Sequence, residues 1–254
     1  AKMIITSKQN EKIKLIEKLH TKKGRAEHKK LVIEGRKSLV DCKNFDVSFD
    51  YILYTPENAD FVCDFSCEKY EVSAELLKEL SSQVTPQGVL AVVAQPAPAT
   101  ARPTTNYIVV DGVQDAGNLG TILRTALATQ FMRVVLIDCV DVFSEKVINS
   151  SMTAVFKLEL KKCKRDEFAT LKNEYGFPLY VADLDGKNAL QLDTECGIIG
   201  LVVGNEGNGV STQVKRVADK IITLPMDKNI ESLNVAVSAG VLMYILKYNL
   251  KGEN

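Results

Sequence analysis

Apolar residues fall in short runs along this chain, and their spacing alternates between two periods. In "NEKIKLIEKL" (residues 10–19) they recur three and four apart, which gathers them on one face of a helix predicted over Lys8 to His20. "KLVIEG" (30–35) is a compact β-rich run and reads as a strand. A helix over "RKSLVDCKNF" (36–45), a strand over "FDYILYT" (49–55), a helix over "SAELLKELSSQ" (73–83) and a strand over "GVLAVVAQ" (88–95) follow. The alternation then stops. "QPAPATARPTTN" (95–106) has three prolines, small residues and no apolar period, so it reads as an extended linker. It restarts with "YIVVDGV", the helical "GNLGTILRTALATQF" and "RVVLIDC". Beyond these come a helix in "EFATLKNEYG", strands in "PLYVAD", "IIGLVVG" and "KIITLP", and a closing helix "SLNVAVSAGVLMYILKYNL" (232–250). Strands separated by helices imply a mostly parallel sheet covered on both faces. The chain therefore reads as α/β, with a small domain at 1–95, a linker at 96–106 and a larger domain at 107–254.

Composition adds little to this, but charge distribution adds more. The 254 residues carry no net charge and are 46% hydrophobic and 25% charged, as in an ordinary globular protein. No stretch resembles a signal peptide, and no apolar run approaches the ~18 residues that span a bilayer. The neutral total hides an asymmetry: 12 Lys/Arg against 4 Asp/Glu from Ala1 to Val40, then 3 against 10 from Asp41 to Gln95. A basic arm suggests an anionic partner, with Lys22, Lys23, Arg25, Lys29 and Lys30 as candidate phosphate contacts. A solvated helix face explains the same lysines, and charge alone leaves both readings open. Six scattered cysteines (Cys42, Cys63, Cys67, Cys139, Cys163, Cys196) read as reduced thiols of a cytoplasmic protein. Cys63 and Cys67 have no second pair to answer them and both histidines lie far upstream, so no metal is expected.

The candidate chemistry gathers at three strand ends. "LVVGNEGNGVS" (201–211) breaks an apolar run with Gly204, Gly207 and Gly209 and sets Glu206 among them. The order is not that of a dinucleotide loop, only 45 residues follow Gly209, and no Gly-Lys-Ser/Thr completes a Walker loop. A carboxylate inside a phosphate cradle would repel its ligand, so a group held here need not carry phosphate. The other two ends are "DGVQDAGNLGTILRTA" (111–126) and "LPMDKNIESLNVAVSAGVLMY" (224–244). In open α/β sheets ligands collect at such carboxyl ends. Taken singly, each is explained by a turn and a helix cap, with Asn118 and Ser232 as the capping residues.

Together, the three segments resemble the SpoU/TrmH family of RNA ribose 2′-O-methyltransferases, within the SPOUT class. Asn118, Gly120 and Arg124 stand in its first motif, "NLGTILRTA". Gly204, Glu206, Gly207 and Gly209 match the second. Pro225, Met226, Ser232, Leu233, Asn234 and Ser238 match the third. Ala116 stands where the family often has proline. "KKLVIEGRKSL" and "TPQGVLAVV" look like strands of the ribosomal-protein-like RNA-binding domain that precedes the catalytic domain in many members.

The resemblance implies S-adenosylmethionine as cofactor, with Gly204, Leu224, Met226 and Leu233 lining its pocket. It implies an RNA ribose 2′-hydroxyl as acceptor and a trefoil knot in the C-terminal domain. Arg124, Asn118, Glu206, Ser232 and Asn234 are the implied catalytic set. The implied partners are RNA, ribosomal rather than transfer, and a second copy joined through the C-terminal domain, with neither membrane nor metal. The final helix is apolar nearly all round, more than one buried face requires. Three alternatives stay open: a tRNA ribose methyltransferase, a base methyltransferase of a related knotted family, and an RNA-binding module without catalysis. The full "SLNVAVS" motif speaks against the second, and the presence of Asn118, Arg124, Glu206 and Asn234 against the third.

Overall fold

The computed structural model describes residues 3–192 and 197–248; Cys196 and the last two predicted helical residues, Asn249 and Leu250, lie outside the described residues. The chain divides into two units, Ala1–Pro96 with Phe143–Phe156, and Ala97–Val142 with Lys157–Asn254. A segment from the middle of the second half thus belongs with the first unit, which no sequence period announces.

In the first unit, strands β1 (Met3–Ile4), β2 (Lys30–Glu34), β3 (Phe49–Tyr54), β4 (Glu68–Glu71) and β5 (Val89–Ala94) form one sheet in the order β1-β4-β3-β5-β2. β5 lies antiparallel to both β2 and β3, with Leu31 opposite Val93 and Leu53 opposite Leu90. Helices α1 (Glu11–Leu19), α2 (Lys22–His28), α3 (Arg36–Asn44), α4 (Ala59–Val62) and α5 (Ala74–Leu80) accompany it. Asn10 caps α1 by accepting from Lys12 N, so this helix starts later than its apolar pattern predicts. Its buried face, Ile13, Ile16 and Leu19, packs with Val32, Leu53, Leu76, Leu77, Leu80, Leu90 and Val92. Burying each such side chain contributes about 1.5–3 kcal/mol.

The basic arm is only partly free. Arg25 is 7% exposed and donates to the carbonyls of Leu19 (2.9 Å) and His20 (3.0 Å), so it fastens α1 to α2 and is no phosphate contact. Lys30 pairs with Asp50, and Lys12 with Glu68 at 2.7 Å. Lys22, Lys23 and Lys29 are exposed.

His20 Nδ1 meets the carboxylate of Glu145, on α7 (Glu145–Ser150) of the inserted segment. The hydrogen bond to Glu145 raises the His20 pKa above its usual 6.5 despite the opposing effect of burial, with Glu34 adding in the same direction. Burial pushes Glu145 up, but His20, Ser82 and Arg25 outweigh it and hold it below its usual 4.5. The histidine contribution is complete below pH 6.5 and is lost as pH rises through the raised value. The carboxylate contribution is present above pH 4.5 and is lost as pH falls below it. Melting temperature should therefore fall as pH rises above 6.5. Glu145→Gln should flatten that fall; an unchanged profile would mean that the pair does not couple to folding.

In the second unit, β6 (Tyr107–Asp111), β7 (Arg133–Ile137), β8 (Glu159–Cys163), β9 (Leu179–Asn188), β10 (Gly200–Val203) and β11 (Lys220–Thr223) form a six-stranded sheet in the order β11-β9-β10-β6-β7-β8. Every adjacent pair is parallel. One sheet face, Tyr107, Val109, Val135, Ile137, Val181 and Val202, is buried with Phe168, Leu171 and Tyr175 of α8 (Phe168–Tyr175). The alternate residues Ile108, Val110, Val134, Leu136, Leu201 and Val203 are also buried, as expected of a sheet covered on both sides. The helices α6 (Ala116–Ala128), α9 (Thr212–Lys215) and α10 (Val235–Tyr248) complete the unit, with α10 against α6. The proline-rich segment is held to this unit. Ala99 N donates to Leu160 O at 2.8 Å, and the buried Arg133 donates to Ala101 O at 2.8 Å. Among the described residues no helix is long and apolar enough to cross a membrane.

Candidate functional site

The three strand ends meet at the carboxyl edge of this sheet. β6 ends at Asp111, and α6 starts after Asp115, whose side chain accepts from Asn118 N at 2.7 Å. Asp115, not Asn118, is therefore the cap. The apolar residues Leu119, Ile122, Leu123 and Ala126 bury one face of α6. The Asn118 side chain is left free for other partners. α10 likewise begins at Val235, where Asn234 Oδ1 accepts from Ala236 N at 2.9 Å; Ser232 lies before the helix and does not cap it.

The loop after β10 folds back on itself. Asn205 and Gly209 exchange backbone hydrogen bonds of 3.0 and 2.9 Å, and Asn205 Oδ1 accepts from Gly207 N at 2.9 Å. Gly209 takes a left-handed φ of 65°, and a Cβ there would meet nothing within 4 Å. Gly204 is the opposite case: its Cβ would lie 2.1 Å from Gly209 C and 2.2 Å from Val210 N. Its bare backbone is thus required by the loop's own crossing, rather than by the approach of a ligand. Two further bonds fix the loop to β6. Asp111, fully buried, accepts from Ser211 N at 2.8 Å and pairs with Arg165 at 3.0 Å, and Asn205 Nδ2 donates to Gly112 O at 2.9 Å.

A side-chain relay joins the three segments. Asn234 Nδ2 donates to Asn118 Oδ1 at 2.9 Å, and Asn118 Nδ2 donates to Glu206 Oε1 at 2.8 Å. The central amide has one group donating and one accepting, so its orientation is set by its neighbours. Beside the relay lies a cleft of about 540 Å³. All four residues expected of a cofactor pocket, Gly204, Leu224, Met226 and Leu233, line it, and so do Glu206 and Ser232. Asn118 and Asn234 are joined to it through Glu206. Arg124 is exposed on α6, does not line the cleft, and has no hydrogen-bond or ion-pair partner among the described residues.

Sequence reasoning missed Asp111, Asn205, Arg165, Asp183 and Lys215. Asp183 pairs with Lys215, and both line the cleft. Burial pushes Asp183 up, but Lys215 and the Leu184 backbone N–H hold it below the usual carboxylate range. The visible signal for Asp111 was an acid closing an apolar run; for Arg165 the sequence offered none. No group of three His, Cys, Asp or Glu side chains able to hold a metal occurs among the described residues.

The chain belongs to the SpoU rRNA methylase family, whose model matches residues 105–244; an MRM3-like substrate binding domain matches residues 10–91. It is 32% identical over 249 residues to the 23S rRNA (guanosine(2553)-2′-O)-methyltransferase RlmP of Bacillus subtilis, covering 96% of this chain and 98% of that one. It is 28% identical over 275 residues to the mitochondrial rRNA methyltransferase 3A of Danio rerio, covering 85% of this chain and 63% of that one. Among solved structures, the AdoMet-bound rRNA methyltransferase of Sinorhizobium meliloti superposes with a TM-score of 0.85 at 25% identity, each chain being 98% covered. A TrmH-family protein from Porphyromonas gingivalis gives a TM-score of 0.83 at 30% identity, with 92% and 95% covered.

Proposed function

We propose that this protein transfers a methyl group from S-adenosylmethionine to a ribose 2′-hydroxyl of ribosomal RNA. The observation that carries the reading is the Asn234–Asn118–Glu206 relay beside a cleft lined by Gly204, Leu224, Met226 and Leu233. The cleft suits the cofactor. Its ≈ 540 Å³ falls within the range of small-molecule sites, its lining mixes apolar side chains with polar ones, and the Glu206 carboxylate faces no phosphate on a sulfonium ligand. When bound, S-adenosylmethionine supplies an activated methyl group on a positively charged sulfur.

The chain's residues have to do the rest. Leu224, Met226 and Leu233 hold the nucleoside and exclude water, and the Gly209 backbone leaves room for it. The 2′-hydroxyl must lose its proton as the methyl arrives, and solvent water takes that proton. A guanidinium keeps its own proton at neutral pH, so Arg124 acts as a clamp. It holds the adjacent phosphate and offsets the negative charge growing on the 2′-oxygen. Glu206, fixed by Asn118, and Ser232 complete the ribose site. The exposed Lys22, Lys23 and Lys29 contribute phosphate contacts. A knotted C-terminal segment and a cytoplasmic location belong to the same reading. Mapping 2′-O-methyl groups in total rRNA and tRNA after deletion of the gene tests it: one rRNA ribose should lose its methyl, whereas a loss confined to tRNA would refute the rRNA assignment.

The same reading includes a two-fold dimer through α10. Val237, Val241, Tyr244 and Tyr248 are 52, 42, 50 and 67% exposed and lie on one stripe, with the two tyrosine rings stacked at 5.9 Å. Light scattering at micromolar concentration should give twice the chain mass, and Val237→Asp should halve it. A wild-type monomer would contradict the dimer.

A further inference from the structure

The substrate-binding unit carries a second cleft, of about 880 Å³, whose lining includes Arg36, Lys37, Asn58, Lys78, Gln87 and Gly88. Its floor is rigidly built. Asn58 is 2% exposed and donates to Thr55 Oγ1 at 3.0 Å, Gln87 O at 3.2 Å and Gly88 O at 3.3 Å. Gly88 holds a φ of 75°, where a Cβ would lie 2.4 Å from Thr55 Oγ1, so the backbone closes directly over this cluster. With its donors committed, Asn58 offers its Oδ1 to Arg36 Nε at 2.8 Å. Gln87 Oε1 accepts from Arg36 N at 2.9 Å, and the guanidinium lies over the Phe61 ring at 5.1 Å.

Other arginines show what a purely structural guanidinium does here. Arg133 is 2% exposed and spends Nε, Nη1 and Nη2 on Glu159, Ala101 O and Tyr175 Oη. Arg25 is buried and donates Nη1 to two carbonyls. Arg36 is exposed and anchored through Nε alone; its two terminal nitrogens have no hydrogen-bond partner among the described residues. An anchored guanidinium with a free fork is ready to bind an anion bidentately at little entropic cost. The setting has the matching sign. Arg36, Lys37 and Lys78 line the cleft against one carboxylate, Glu57, and Lys78 is one of only 3 basic residues between Asp41 and Gln95.

We infer that this cleft grips a backbone phosphate of the RNA substrate, with Arg36 as the bidentate ligand and Lys37 and Lys78 as supporting charges. The inference rests on the reading of rRNA as substrate and adds where the substrate-binding unit takes hold of it. Asn58 is a positioning residue that acts through Arg36.

The test uses the full chain, an in vitro 23S rRNA transcript and the variants Arg36→Ala, Arg36→Lys and Lys78→Ala. Arg36→Ala should weaken transcript binding tenfold or more and lower the slope of log Kd against log salt by about 0.7–0.9. It should raise KM for RNA while leaving kcat and S-adenosylhomocysteine affinity in place. Arg36→Lys should restore the salt slope and little of the affinity, because an ammonium cannot copy the fork. Lys78→Ala should give a smaller loss with the same change of slope. Two results would overturn the inference. One is Arg36→Ala binding with wild-type affinity and slope. The other is an affinity loss that merely follows the fraction of protein unfolded in a circular-dichroism melt. If the wild type binds the transcript through Arg36 yet methylates no rRNA, the grip stands and the substrate reading fails.

Discussion

Arg124→Ala should abolish detectable methyl transfer while leaving the fold and the cofactor affinity nearly intact. Arg124 lies on the exposed face of α6, six residues beyond Asn118, and makes no side-chain bond that its loss would break among the described residues. A solvent-exposed arginine with no partner contributes under about 1 kcal/mol to stability. The role proposed for it in the chemistry is a different matter. A charged donor aimed at a developing oxyanion typically gives 10²-fold or more in rate, because its interaction is made in the transition state. Arg124→Lys should recover little, since a point charge cannot hold phosphate and 2′-oxygen together. Calorimetry with S-adenosylhomocysteine and single-turnover methylation of an rRNA fragment separate the two effects. Methylation within tenfold of wild type would remove Arg124 from the mechanism. Loss of cofactor binding would move it into the cleft.

Gly204→Ala should do the reverse and destroy, at its base, the cleft proposed for the cofactor. A Cβ at this position would sit 2.1–2.3 Å from three backbone atoms of Gly209 and Val210, and no side-chain rotation relieves a clash with backbone. The loop must open, which breaks the Asn205–Gly209 pair and displaces Glu206 from Asn118. Asp111 and Gly112 hold the loop's two ends, so the strain cannot be passed on to solvent. S-adenosylhomocysteine affinity should fall at least tenfold and the melting temperature should drop. Gly209→Ala is the control. There a Cβ meets open space but must adopt a φ of 65°, so it should cost about 1 kcal/mol and leave part of the affinity. Wild-type affinity in Gly204→Ala would show that the cofactor does not bind against this loop.

These expectations depend on features of unequal visibility in the sequence. The three strand ends could be read because glycines, amides and an acid interrupt apolar runs there, and all four expected cofactor residues line one cleft. Their connection could not be read. Asn118 and Glu206 are 88 residues apart and Asn118 and Asn234 are 116 apart, and no local period reports such a contact. Helix starts were misplaced because several residues of each segment can cap. Asp115 precedes Asn118 by one turn and takes the role, and Asn234 takes it from Ser232. Polar strands were invisible to hydrophobic patterning, as with "EKYE" in β4, which lies between β1 and β3, and "ELKKC" in the edge strand β8. Helix α2, "KKGRAEH", has no apolar face and is fixed instead by the Thr21 cap and by the burial of Arg25. Counting charges put Arg25 among the RNA contacts; only its bonds from α2 to the end of α1 show that it faces inward.

The central claim concerns the acceptor atom, and one measurement addresses it directly. Purified full-length protein is incubated with methyl-labelled S-adenosylmethionine and unmodified 23S rRNA transcript, and the RNA is digested to nucleosides for mass spectrometry. The account predicts label in a single 2′-O-methylnucleoside, at one ribose, dependent on Arg124. Label on a base, or no label with correctly folded RNA and bound cofactor, would contradict it.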